Sequence, residues 1–162
     1  MSENPANVLP YYKGWDAYQD LLIKAIEPLT DEQLSLRAAP HLRSIYEILT
    51  HIIAVRVRWY QGLMGEGGEE IAPVGSWDRQ GQPQRNAAEL VGGLKKSFQF
   101  VQGCLARWTP ADLEYVFKGT WQDEEYALTR QWVIWHVIEH DLHHGGEFSL
   151  TLGMHGLTAP DL

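Results

Sequence analysis

The sequence predicts an all-α fold, a four-helix bundle with a long loop between its second and third helices. Apolar residues recur at steps of three and four, the spacing of one helix face, whereas the alternation of a half-buried strand is hardly seen. Helix-capping signals flank the segments that carry this period. With 162 residues, 44% of them hydrophobic, we expect residues 1–162 to form a single domain around one core.

The first helix is predicted from about Asn7 to Leu29. Its core-facing positions follow the helical step: Tyr12, Trp15, Tyr18, Leu22, Ala25, Ile26 and Leu29. The next four residues, Thr30-Asp31-Glu32-Gln33, have the form of a capping box. They predict a short helical turn before the loop at Pro40.

A second capping box, Ser44-Ile45-Tyr46-Glu47, predicts a helix that runs to about Met64. This helix carries His51 two turns from its start. From Gly62 to Pro83 the chain holds six glycines and two prolines and shows no sustained period, which predicts a long loop. Loops of this length are often functional.

The third helix is predicted from a cap at Asn86 to about Leu105. It contains three glycines, which favour close contact with a neighbouring helix: Gly92, Gly93 and Gly103. Thr109-Pro110 is typical of an N-cap followed by proline and predicts a short connecting helix. The last long helix is predicted from about Thr129 to Leu152, where Gly153 ends it.

Composition excludes several classes of partner. A formal net charge of -8 disfavours nucleic acid and anionic membranes, because both bind through clustered Lys and Arg. No apolar run is long enough to cross a bilayer. Cys104 is the single cysteine, so an internal disulfide is excluded and an unactivated thiol is expected there. Met1 to Pro10 lacks the pattern of a signal peptide, and we expect a cytoplasmic protein.

Four of the seven histidines lie within the nine residues from His136 to His144. His140 and His144 are four residues apart, so both project from one helix face at a spacing that lets two imidazoles share a metal ion. His51, on another helix, can supply the third ligand. Three neutral imidazoles without a thiolate cluster predict an open divalent-metal site rather than a closed structural one. The alternative is that these histidines are ordinary hydrogen-bonded or surface residues.

With these residues the chain resembles the DinB/YfiT-like family of metal-dependent bundle proteins over most of its length. The resemblance rests on Leu49-Thr50-His51-Ile52 and on His140-x-x-x-His144-x-Gly146-Glu147. It implies a four-helix bundle, commonly dimeric, in which His51, His140 and His144 bind nickel, zinc or a related ion. Relatives include low-molecular-weight thiol S-transferases and a thiol-dependent isomerase, so the resemblance also implies such a thiol as cosubstrate.

Five further residues near the predicted site carry open alternatives. Glu147 either orients a ligating imidazole, acts as a base on metal-bound water, or is a solvated carboxylate. Arg58 either binds an anionic group of the substrate or is a surface charge. Trp77 either closes over a pocket or anchors the long loop. His136 and His143 are either extra ligands or, as we favour, hydrogen-bonded neighbours of the site.

The last helix is apolar on a second side, away from the histidines: Trp132, Trp135, Ile138 and Leu142. This predicts either a homodimer interface or a surface covered by the long loop.

Three functions stay open on the sequence. The first is a metal-dependent thiol S-transferase, or a hydrolase with Glu147 as its general base, acting on a small molecule. The second is a non-catalytic, stress-associated dimer that binds metal or a small ligand, and the third is a bundle without metal.

Overall fold

The computed structural model describes residues 6–162 and is mostly helical. Met1–Pro5, the first half of the stretch examined for a signal peptide, lies outside the described residues. The α-helices of the described part are Lys13–Ile26 (α1), Asp31–Leu34 (α2), Ile45–Val57 (α3), Ala87–Leu105 (α4) and Arg130–Met154 (α5). Helix α3 packs against both α4 and α5, and α1 packs against α4.

The all-α prediction is wrong between α4 and α5, where the chain forms a small antiparallel sheet. Strands Val116–Trp121 (β1) and Glu124–Thr129 (β2) pair in register through a two-residue turn. The turn residues Gln122 and Asp123 have φ values of 50° and 67°. Because neither is glycine and most hairpin side chains are exposed, both the turn signature and the apolar alternation are weak in the sequence.

The predicted helix starts are confirmed by their caps. Both hydrogen bonds of the capping box form at each of three helix starts: Thr30, Ser44 and Asn86. Thr129 caps α5 by accepting a hydrogen bond from the Trp132 amide. The short connecting helix is a 3-10 helix, Pro110–Glu114, that begins after Thr109 as predicted.

Three predicted helices differ from expectation at their ends. The last runs through Gly153, its predicted stop, and ends at Met154. The first begins as a 3-10 turn, Leu9–Tyr12, and its α-helical part stops at Ile26, two residues before Pro28. The second continues past Val57 to Leu63, but its last six residues wind as a π-helix that begins at Arg58. Single π-helical turns inside longer helices occur frequently at functional sites.

The long loop between α3 and α4 is confirmed and contains a short 3-10 helix, Ala72–Ser76. Apolar side chains of α1, α3 and α4 form one buried cluster, which Phe148 and Leu152 of α5 complete. A second cluster lies towards the hairpin end of the helices and includes Trp15 and Tyr60. No helix within residues 6–162 is long and apolar enough to span a membrane.

Candidate metal centre

The packing of α3 against α5 brings His51, His140 and His144 together. One ring nitrogen of each lies within 4.8 Å of the others, although His51 is 89 residues before His140. The ring centroid of His51 is 4.8 Å from each of the other two, which are 4.3 Å apart. The sequence therefore identified all three members of this group.

His51 is oriented by a carboxylate from the long loop. Its Nδ1–H donates to Asp78 Oδ2 at 2.7 Å, which leaves Nε2 unprotonated and directed at His140. Arg58 holds Asp78 in turn with two hydrogen bonds of 2.6 and 2.9 Å. Burial raises the pKa of Asp78, but the hydrogen bonds from Arg58 and His51 outweigh it and keep that pKa below its usual value. Asp78 is therefore an anionic acceptor for the imidazole.

His144 has a carboxylate partner on its own helix. Its Nδ1–H donates to Glu147 Oε2 at 2.6 Å, so Nε2 is the nitrogen left to face the other two imidazoles. Arg43, which precedes the cap of α3, lies 4.0 Å from the same Glu147 oxygen. Of the alternatives for Glu147, this hydrogen bond supports orientation of the His144 imidazole.

The ring of His140 packs against both of the other histidines. Burial, followed by the charges of His144 and His51, lowers the pKa of His140 to about 3. Burial also lowers the pKa of His51, against the opposing effect of Asp78. Both rings are therefore neutral at pH 7, the form in which imidazole binds metal. His140 Nδ1 is buried and has no hydrogen-bond partner among residues 6–162.

The donor set fits a divalent metal ion. Two nitrogens that each lie about 2.1 Å from a tetrahedral ion are about 3.4 Å apart. His51 Nε2 and His140 Nε2 are 3.1 Å apart, close to that spacing. Imidazole nitrogens of this kind suit zinc, nickel and related ions. Hydrogen bonds from the outer nitrogens to Asp78 and Glu147 are the support that metal-binding histidines usually have.

The other two clustered histidines lie outside the three-histidine group. His136 Nδ1–H donates to Glu139 Oε1 at 3.0 Å, and the ring stacks on Trp132, with centroids 4.9 Å apart. His143 is 71% exposed and lies 3.9 Å from Glu147 Oε1. His143 could join His144 and Glu147 in a second group of potential ligands.

Three other predictions are resolved by contacts. Arg58 is neither a free surface charge nor a free anion site, because Asp78 and the Gly75 carbonyl occupy its guanidinium. Trp77 anchors the loop: its ring packs so closely on α4 that a Cβ at Gly93 would overlap it. Cys104 is buried, and burial together with Glu66 raises its pKa to about 11, as expected for an unactivated thiol.

Sequence reasoning missed two groups of residues around the site. Asp78 lies in a loop without periodicity, so no spacing rule connects it with His51. The second omission is a fully buried ion pair, in which Arg56 Nη2 lies 2.7 Å from Asp141 Oδ2. Trp15 Nε1 donates to the same oxygen at 2.8 Å. The available signal was a charged residue among apolar neighbours on each of the two helices. These residues are Arg56, five after His51, and Asp141, one after His140.

Comparison with known proteins places this chain in a family. The DinB superfamily profile matches residues 15–148, which include all three histidines. A DinB-like protein of Bacillus cereus has the same fold, with a TM-score of 0.74 at 21% identity over 96% of this chain and 97% of that one. A DinB-like protein of Bacillus subtilis gives 0.67 at 15% identity, over 96% of each chain.

A conserved protein of Enterococcus faecalis gives a TM-score of 0.64 at 15% identity, over 87% of this chain and 94% of that one. At these identities the solved structures establish the fold alone. No curated protein matches the chain. The profile match covers most of the sequence, and the fold agrees with it along nearly the whole chain. The chain therefore belongs to the DinB superfamily.

Proposed function

We propose that this protein is a divalent-metal-dependent enzyme in which His51, His140 and His144 hold one nickel or zinc ion. The observation that carries the proposal is the convergence of three imidazole nitrogens within 4.8 Å, on two helices. Asp78 and Glu147 fix the outer nitrogens of two of the rings. Three protein ligands leave at least one coordination position for a substrate, which distinguishes such a site from a closed structural one.

The reaction we propose is transfer of a low-molecular-weight thiol to an electrophilic small molecule. A divalent ion bound here would lower the pKa of a thiol or of water so that either could act as a nucleophile at neutral pH. Hydrolysis requires in addition a base for water, and Glu147 is the candidate. One oxygen of Glu147 is held by His144 and the other lies 3.9 Å from His143. This arrangement favours thiol transfer, which can proceed without a separate base.

The first experiment measures metal content by elemental analysis of purified protein. We expect about one nickel or zinc ion per chain in the wild type and loss of it in His51→Ala and His144→Ala. His41→Ala, an exposed histidine before α3, is the matched control and should keep the ion. Unchanged metal content in the two site variants would exclude this site.

The second experiment separates transfer from hydrolysis. Metal-loaded protein is incubated with an electrophile, with and without a thiol, and products are followed by mass spectrometry. A thiol adduct formed only with wild-type protein supports the transferase, whereas hydrolysis without thiol supports the hydrolase. Metal uptake without turnover of any substrate would favour the alternative, a non-catalytic protein that binds metal or a small ligand.

We further propose that two copies associate through α5. Trp132, Trp135 and Leu142 are 41%, 57% and 44% exposed on one side of that helix, and the long loop does not cover them. Apolar area of this kind is typical of interaction surfaces. Light scattering should give the mass of a dimer for the wild type and of a monomer for Trp135→Glu. A monomeric wild type would refute the dimer without affecting the metal site.

A further inference from the structure

A polar cavity of about 500 Å³ opens beside the three histidines, a size that suits a small ligand. His51 forms part of its wall, so a ligand in the cavity lies next to the proposed metal. The remaining wall comes from Arg43, the first turns of α3, Arg58 and the loop segment 77–84. Its side chains include Tyr46, Thr50 and three glutamines, which favour a hydrophilic ligand.

The cavity wall carries positive charge in a chain whose formal net charge is -8. Three arginines, Arg43, Arg58 and Arg79, face two carboxylates, Glu47 and Asp78, which leaves an excess of one positive charge. A wall with this balance matches a ligand that carries a single negative charge.

Both carboxylates of the wall are already paired. Glu47 accepts from the Ser44 amide at 2.6 Å and pairs with Arg37 at 2.8 Å. Asp78 is held by Arg58 and His51. Arg58 is thereby occupied as well, so it is not the residue that would bind an anion.

Arg43 is the less exposed of the two cavity arginines that have no close carboxylate partner among the described residues. Within residues 6–162 its closest carboxylate oxygen is that of Glu147, at 4.0 Å, and its side chain is 48% exposed. That same oxygen accepts from His144, so the Arg43 guanidinium lies beside the site. Arg79 also has only a 4.0 Å ion pair, but it is 66% exposed at the loop end of the cavity.

We propose that this cavity binds a small molecule that has a carboxylate at one end and reaches the proposed metal ion with the other. Arg43 is the residue that pairs with the carboxylate. The planar guanidinium offers two parallel N–H groups that match the two oxygens of a carboxylate. The inference rests on the proposed function and extends it to the substrate class: a small, hydrophilic thiol that carries a single carboxylate. Binding is reversible and forms no covalent bond to the protein.

The test compares two thiols that differ only in one end group. 3-Mercaptopropionate ends in a carboxylate, and 3-mercapto-1-propanol ends in a neutral hydroxymethyl group. Each is titrated into cobalt-loaded protein, and the sulfur-to-cobalt absorption band gives the dissociation constant. We expect the carboxylate to bind about tenfold more tightly than the alcohol, as one charge-assisted contact at a half-exposed arginine allows. Arg43→Gln should abolish this preference, so that the carboxylate and the alcohol bind the variant equally.

Arg79→Gln is the matched control, because it removes an arginine from the same cavity wall. We expect it to retain most of the preference. Equal affinity of the two thiols for the wild type overturns the inference, as does loss of the preference in Arg79→Gln but not in Arg43→Gln. Failure to load cobalt would instead overturn the proposed metal site.

A measurement on metal-free protein keeps the two proposals separable. Propionate and propionamide are titrated separately while the arginine Nε–H signals are followed by NMR. We expect saturable shifts of the Arg43 signal with propionate only, and none in Arg43→Gln. Identical responses to the acid and the amide would overturn the carboxylate subsite whether or not the protein binds metal.

Discussion

At the scale of single residues, the two nitrogens of His51 have different partners. Nδ1 donates to Asp78 at 2.7 Å, which leaves the Nε2 lone pair, directed at His140, for the proposed metal ion. Removing the carboxylate frees the ring to rotate and to change tautomer. We expect Asp78→Ala to weaken zinc binding about 10- to 100-fold, the usual effect of losing such a partner. Competition with a chromophoric chelator measures this affinity.

The control for this substitution is Asp20→Ala, which removes an exposed carboxylate from α1. Its affinity for zinc should equal that of the wild type. If Asp78→Ala binds zinc as tightly as Asp20→Ala, Asp78 does not orient His51 in solution, and the Arg58–Asp78 pair serves only to hold the loop.

Cys104 provides a second prediction at this scale. Burial and the Glu66 carboxylate raise the pKa of its thiol to about 11, so the reactive thiolate is a small fraction at pH 8. We expect native protein to react with a disulfide reagent at least about 100-fold more slowly than protein unfolded in urea. The native rate should still be rising above pH 9, because the thiolate population increases up to the raised pKa. Rapid reaction of native protein at pH 7 would show an accessible, activated thiol instead.

At the scale of elements, adjacent glycines of α4 make a matched pair. A Cβ at Gly93 would overlap the Trp77 ring, whereas one at Gly92 meets nothing within 4 Å. We expect Gly93→Ala to lower the free energy of unfolding by about 1–3 kcal/mol through overpacking. Gly92→Ala should raise it by about 0.5–1 kcal/mol, because alanine favours the helix. Urea unfolding of the two variants measures both changes, and equal effects would show that Trp77 does not pack on α4.

These elements also show what a sequence can predict. The helix starts at Ser44 and Asn86 are predictable because a capping box is local: both hydrogen bonds join residues three apart. The π-helical turn after Val57 and the β1–β2 hairpin are not, since no local pattern distinguishes the first and exposure obscures the second. The histidines follow the same division. Spacing identifies His140 and His144, while only the packed fold connects Asp78 with His51.

At the scale of the whole molecule, a buried polar network joins four segments of the chain. Asp141 of α5 pairs with Arg56 of α3 and accepts from Trp15 of α1. Arg56 also reaches the Ser97 hydroxyl of α4 at 3.4 Å. Such directional contacts fix how far one helix slides along another, which apolar packing alone specifies less strictly. Arg56 is five residues after His51 and Asp141 directly follows His140, so we expect the pair also to set the register of the proposed metal ligands.

Breaking this pair and replacing it should therefore have different effects. Asp141→Ala leaves the Arg56 charge buried without a counter-charge, beside only the Leu94 carbonyl and the Ser97 hydroxyl, and we expect the free energy of unfolding to fall by about 3–5 kcal/mol. The double variant Arg56→Met, Asp141→Leu removes both charges and should recover at least half of that loss, since apolar residues can replace a buried ion pair. Urea unfolding measures this difference.

Zinc affinity of the double variant then tests the register argument. If the ion pair aligns α3 with α5, the folded double variant should bind zinc more weakly than the wild type, although its free energy of unfolding is largely restored. The loss should be partial, because the three histidines and their carboxylate partners are all retained. Wild-type affinity in the double variant would mean that apolar packing between α3 and α5 is sufficient to bring His51 to His140, and that the buried pair contributes to stability alone.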